Sequence, residues 1–310
     1  MVGSPEVDEK QVRLLFTSTA SPSKSSETNV LLLAESIRAF AGSLSKSPIW
    51  YLVPDYGGEL SDIAKDRLKA LNVTLIPIKT NLEVLHFPFA AELLAAASVE
   101  SMAQGKTELL VWLGANTVVL QEPKDFLLRD GKKLGYRPVH VALVGSRYHE
   151  PLDAFWTLIY HHCNVPESSV FLMNTHVEGT PIRPYFNAGL LVTRPEGRLL
   201  QTWSDKFFGI YQEPSFREFY NLDERYVVFM HQAVLAGVIL SAFARSELQE
   251  LPPTYNYPLH LYGEDVTEHR PSSLEELVTF RHEGFYEDPR WRRKMPAKEP
   301  LKRWLAERLF

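Results

Sequence analysis

Apolar stretches of two kinds take turns along the first 120 or so residues. Short continuous runs at 12–16, 49–53, 73–78 and 109–113 have the length of strands. Between them, Val30, Leu33, Ile37, Phe40 and Leu44 recur at helical spacing, and so do Ile63, Ala64, Leu68 and Leu71. An Ala-rich segment at 89–102 is closed by Gly105. Thr28 and Ser61 stand where side chains cap the first two helices. This alternation predicts an α/β fold, a mainly parallel sheet with helices on its faces. Such sheets bind ligands in the crevice beyond the carboxyl ends of their strands. Thr17 and Ser18 follow the first run, Asp55 the second, and Gly114, Ala115 and Asn116 the fourth. No Gly-x-Gly-x-x-Gly follows the first run, and no Gly-Lys-Ser/Thr loop is found, so both common phosphate-binding fingerprints are missing.

The second half is less regular. A helical turn is expected at 125–128, and an apolar strand at 139–144 that ends at Gly145-Ser146-Arg147. Helices are expected at 152–161, 199–210 and 227–243. Strands are expected at 170–173, at 190–192 after a tight Asn187-Ala188-Gly189 approach, and at 278–280 before Arg281-His282-Glu283-Gly284. Residues 1–11 read as a flexible N-terminus, 12–288 as one domain, and 289–310 as a basic tail ending in an amphipathic helix.

The formal net charge of -5 argues against non-specific nucleic-acid binding. The single cysteine, Cys163, excludes an internal disulfide and a thiolate metal cluster. It follows His161-His162, but adjacent residues do not face one another on a helix, so a buried structural thiol is expected. The first residues lack the apolar segment of a secretory leader, and no apolar run is expected to cross a bilayer. Cytoplasmic localisation follows as the expectation; nothing in the pattern sets the oligomeric state.

Three segments carry a family resemblance: VWLGANTVVLQEP from Val111, PYFNAGLLVTRPEG from Pro184, and FMHQAVLAGVI from Phe229 with the later LPPTYNY. Their order resembles the GT-A nucleotide-diphospho-sugar transferases, in particular the glycogenin-like and galactosyltransferase groups. The resemblance spans roughly 12–284. It implies a mixed sheet flanked by helices, with 12–120 as a Rossmann-like nucleotide-binding half and 121–288 as the acceptor and sugar half. It also implies a glycosyltransferase that moves a sugar from a nucleoside diphosphate sugar, a UDP-sugar by likeness, to an acceptor hydroxyl.

By the same resemblance, Thr17, Ser18 and Asp55 would meet the base and ribose, and Asn187 and Gly189 the sugar. Gln232 would touch the sugar or acceptor, and His231 would be a base for the acceptor hydroxyl. Family members hold Mn²⁺ or Mg²⁺ with an Asp-x-Asp motif and a late histidine, because hard cations take oxygen ligands. Here Gly114 and Asn116 stand at the two aspartates and His231 at a third, which leaves Asn116 and His282 as the nearest metal ligands, with His260 as a substitute. Arginines can replace a cation towards pyrophosphate, and Arg147, Arg183, Arg281 and the 290–294 cluster are the candidates. The alternative is an inactive nucleotide- or sugar-binding or scaffold protein of the same fold. A third reading is another α/β enzyme acting on phosphorylated sugars.

Overall fold

The computed structural model describes residues 12–80 and 85–309. A seven-stranded mixed sheet runs in the order β10 (Leu248–Glu250), β6 (Leu134–Pro138), β9 (Phe186–Thr193), β4 (Thr107–Leu113), β1 (Val12–Thr19), β2 (Ile49–Pro54), β3 (Val73–Ile78). Its parallel part is β1 (Val12–Thr19), β2 (Ile49–Pro54), β3 (Val73–Ile78) and β4 (Thr107–Leu113). These are linked by α1 (Lys24–Phe40), α2 (Asp62–Ala70) and α3 (Ala90–Ala103). All four predicted strands and all three helices are present. The first helix begins earlier than expected because Ser23, not Thr28, caps it; Ser23 Oγ accepts the Ser26 amide at 3.2 Å. Ser61 caps α2 as expected. Ile63 is 74% exposed, so the buried face of that helix is Ala64 and Leu68 alone.

Alternate residues of β1 and β4 face opposite layers, as the two-residue period of a strand requires. Leu15, Leu110 and Trp112 pack towards α3 and three later helices, α4 (Ala154–Cys163), α5 (Leu199–Ile210) and α7 (Glu224–Ala242). Phe16, Val111 and Leu113 pack towards α1 and α2. The short α6 (Arg217–Leu222) leads into α7, which Asp223 caps. By length and composition the 19-residue α7 could cross a bilayer, contrary to the expectation from sequence. Residues 230–240 of α7 are buried in the protein core.

After β4 the chain turns through Gly114–Asn116 into β5 (Thr117–Val119), which leaves the main sheet. The expected strand at 139–144 is instead β6 (Leu134–Pro138). Beyond Pro138, Val139, Ala142 and Val144 are buried without joining the sheet, so an apolar run imitated a strand. β7 (Met173–Asn174) and β8 (Pro181–Ile182) form a separate pair. β9 (Phe186–Thr193) runs antiparallel to β4, with Leu190 opposite Leu113, and already includes Asn187-Ala188-Gly189. Its first residues therefore lie beside the carboxyl end of β4. β10 (Leu248–Glu250) closes the sheet edge beside β6.

A three-stranded sheet of β11 (Tyr257–Pro258), β12 (Thr279–Arg281) and β5 sits over the same end. The basic C-terminal stretch forms α8 (Trp291–Lys294) and α9 (Leu301–Leu309). Trp291, Leu301 and Leu305 are buried in one cluster with Leu32 and Phe280. Burial of those apolar side chains fastens β12 to the body of the protein.

Candidate active site

A cleft of about 640 Å³ opens at the carboxyl ends of β1 and β4. Its floor is Gly114, Ala115 and Asn116, with Asn187, Ala188 and Gly189 alongside. The Gly114 amide donates to the Gly189 carbonyl at 2.8 Å, which ties the two segments together. His231 and Gln232 enter from α7. Gln232 Oε1 accepts the Ala188 amide at 3.0 Å. His231 Nδ1 lies 2.9 Å from the Val228 carbonyl and must donate to it, so Nε2 keeps its lone pair. Burial lowers the His231 pKa to about 4, despite that hydrogen bond, and the imidazole is neutral near pH 7. Phe89 and Trp203 flank the ring.

The centre of the cleft is held by Arg281, at the end of β12. Its Nε donates to Asn116 Oδ1 at 3.1 Å, and Nη1 to Asn187 Oδ1 at 3.3 Å. Asn187 Oδ1 also accepts the Gly189 amide, and its Nδ2 lies 3.3 Å from His140 Nε2, which fixes the carboxamide with its oxygen towards the guanidinium. Asn116 is fixed in the same sense, because its Nδ2 donates to the His282 carbonyl at 2.6 Å. Glycine is required at 189, where a Cβ would lie 2.1 Å from Arg281 Nη1; a Cβ on Gly114 would meet Arg281 at an ordinary 3.5 Å and press only on Asn116 Oδ1, at 3.0 Å.

Residues 22–242 match the family described as the Rhodobacterales glycosyltransferase domain. The chain belongs to that family. This glycosyltransferase shares the GT-A fold with the galactosyltransferase LgtC, solved in complex with donor and acceptor sugar analogues. Identity to LgtC is 14%, the TM-score is 0.52, and 95% of each chain is covered. A similar likeness links it to the glycosyltransferase GlyE of Streptococcus pneumoniae TIGR4, at 14% identity and a TM-score of 0.51. That match covers 96% of this chain and 60% of GlyE. No curated protein matches the chain in sequence.

The cleft of the glycosyltransferase gathers Gly114, Ala115, Asn116, Asn187, Gly189, His231 and Gln232, as expected from sequence. Of the other candidates, Arg281 and His260 also line it, and the rest do not. Thr17 and Ser18 are buried within β1, where Ser18 Oγ donates to the Leu113 carbonyl. Thr19, then Ser21 and Ser23 of the following loop, and Ser26 in the first turn of α1, line the cleft in their place. Asp55 faces away and receives the amide and hydroxyl of Thr80. Arg147 is exposed outside the cleft, and its carbonyl takes a hydrogen bond from Arg183. Arg290 and Lys294 pair with Asp288 at the surface. Cys163 is buried, with its thiol pushed up to about 11, and is no nucleophile.

The expected metal pair needs correcting. Asn116 meets His282 through the latter's backbone, its Nδ2 donating to the His282 carbonyl and its own carbonyl accepting the His282 amide at 3.1 Å. The His282 ring turns into an aromatic pocket with Phe285 and Tyr286, and its Nδ1 accepts the Gly284 amide. Among the described residues, no three His, Cys, Asp or Glu side chains gather to hold a metal.

Among the cleft residues that the sequence did not point to are Glu92 and Phe89. Glu92, in the first turn of α3, lines the cleft, and burial raises its pKa. Phe89 precedes α3 with φ 63°. The positive φ of Phe89 has no sequence signal, whereas an acidic residue at a helix start is an ordinary capping signal and hides a cleft residue.

Proposed function

We propose that this glycosyltransferase uses a uridine diphosphate sugar as donor and a hydroxyl of a small-molecule acceptor. One observation carries the reading: a single cleft at the carboxyl end of β4 joins Gly114–Asn116, Asn187–Gly189 and the His231-Gln232 pair. Its volume suits a ligand of that size. In the reaction, the acceptor oxygen forms a new bond to the anomeric carbon. The bond from that carbon to the β-phosphate oxygen breaks, and its electron pair stays on the nucleoside diphosphate. The hydroxyl proton passes to solvent. His231 Nε2, kept neutral and carrying a lone pair, accepts a hydroxyl hydrogen and orients it. The oriented Gln232 carboxamide and Asn187 frame the sugar. Titration of the protein with UDP and a panel of UDP-sugars, followed by UDP-release assays, tests the reading. Micromolar UDP binding with sugar-dependent UDP release is expected; no binding of UDP or of any UDP-sugar would overturn it.

A further inference from the structure

A divalent cation does not fit beside Asn116 in this cleft. An ion set against Asn116 Oδ1 would lie beside the Arg281 Nε, which is already 3.1 Å from that oxygen. Like charges at such a distance repel strongly in a partly buried site. Both oxygens that face the centre, Asn116 Oδ1 and Asn187 Oδ1, are neutral amides committed to the guanidinium.

Those neutral partners matter for what the guanidinium can do. Among the described residues no carboxylate lies within ion-pair distance of Arg281, and Glu283 at the cleft wall acts on it only from further away. Asn116 and Asn187 aim the arginine without cancelling its charge. An aspartate at either position would neutralise it. Gly189 leaves the space that the planar group fills. The result is a fixed cation with no carboxylate at ion-pair distance, beside the floor of the cleft, where a pyrophosphate would lie. Arginine suits that task because its fork donates to two phosphate oxygens at once.

Building on the UDP-sugar reading, we propose that Arg281 takes the place of the divalent cation, binding the diphosphate and stabilising its departure without metal. The electron pair released when the anomeric bond breaks is received on a phosphate oxygen facing Arg281. No co-reactant beyond donor and acceptor is needed.

Calorimetric titration with UDP and with uridine, each in EDTA and in Mn²⁺, tests this on the full chain. The wild type should bind UDP equally in both buffers. Arg281→Gln should weaken UDP binding about ten- to a hundredfold and leave uridine binding unchanged. Arg281→Lys should recover part of the loss. Gly189→Ala provides a second route, since its Cβ displaces the guanidinium while the arginine remains in the sequence; it should reproduce the UDP-specific loss. UDP binding that requires Mn²⁺, or that survives both Arg281→Gln and Gly189→Ala, would overturn the proposal and leave the UDP-sugar reading intact. Absence of UDP binding by the wild type would overturn both.

Discussion

The rings of Phe89 and His231 lie 4.5 Å apart, tilted by 31°. Phe89 reaches that position from a left-handed backbone, φ 63°, and is 43% exposed on the wall of the cleft. A bulky residue there costs roughly 1–2 kcal/mol. Strain of this kind persists where neighbouring structure requires it. Phe89→Gly relieves the strain and loses a ring contact worth about 0.5–1.5 kcal/mol, so stability should stay within about 1 kcal/mol of wild type. Sugar transfer should fall by roughly tenfold as His231 loses its flank. Denaturant midpoints beside transfer rates check this; an unchanged rate would show that the ring contact plays no part in positioning His231.

Acid should unfold the protein through its buried histidines. Burial holds His231 at about 4, and His176 and His282 at about 3, while His140 is also lowered well below its ordinary value. Each is depressed in the folded state, so its contribution is whole above the unfolded value of about 6.5 and is lost as pH falls towards the folded value. The three groups at about 3 to 4 alone make stability drop by about 4 kcal/mol per pH unit near pH 5, and His140 adds in the same sense. Far-UV circular dichroism against pH should show cooperative unfolding at about pH 4–5; native ellipticity retained down to about pH 3 would contradict it.

Glu100 acts in the opposite sense. Its Oε2 accepts the Gln201 amide at 2.8 Å, and burial pushes its carboxyl up to about 7. A raised carboxyl favours the folded state fully below the unfolded value, near 4.5, and loses that contribution as pH rises through about 7. Glu100→Gln keeps an acceptor and removes the charge. It should be more stable than wild type at pH 8, by up to about 3 kcal/mol, and by only about 1 kcal/mol at pH 5.5. Urea midpoints at the two pH values measure this, and equal midpoints at pH 8 would refute it.

Gly237 lets α7 approach α4. A Cβ there would lie 2.6 Å from Cys163 Sγ. Gly237→Ala should destabilise the fold by about 1–3 kcal/mol, despite the better helix propensity of alanine. Adding Cys163→Ala should restore part of the loss. Thermal melts of the single and double variants decide it; a Gly237→Ala protein as stable as wild type would show that the two helices can move apart freely.

Local pattern carried the parallel half of the fold. Strand length, helical spacing and the Ser61 cap were legible because hydrogen bonding and burial in those elements depend on neighbours close in sequence. The run at 139–144 misled because its valines are buried outside any sheet, and burial without pairing has no separate signature in one sequence. Gly114, Asn116, Asn187, His231 and Gln232 were legible as site residues because each lies at or beside a strand end or in a segment with a family likeness. Glu92 and Phe89 were not, because helix starts of that composition are common away from any cleft.

The sequence by itself determined the α/β alternation, the missing acidic pair at Gly114 and Asn116, and the set of arginines that could answer for it. Only the tertiary structure chose among them. Arg281 follows Asn116 by 165 positions and Asn187 by 94. The three meet because β12 folds back over β5 and β9 runs antiparallel to β4. Arg147, Arg183 and the 290–294 cluster bear the same charge, but they are exposed at the surface or bonded away from the cleft. Charge is written in the residue; its desolvated place between two neutral carboxamides is set by contacts between distant strands.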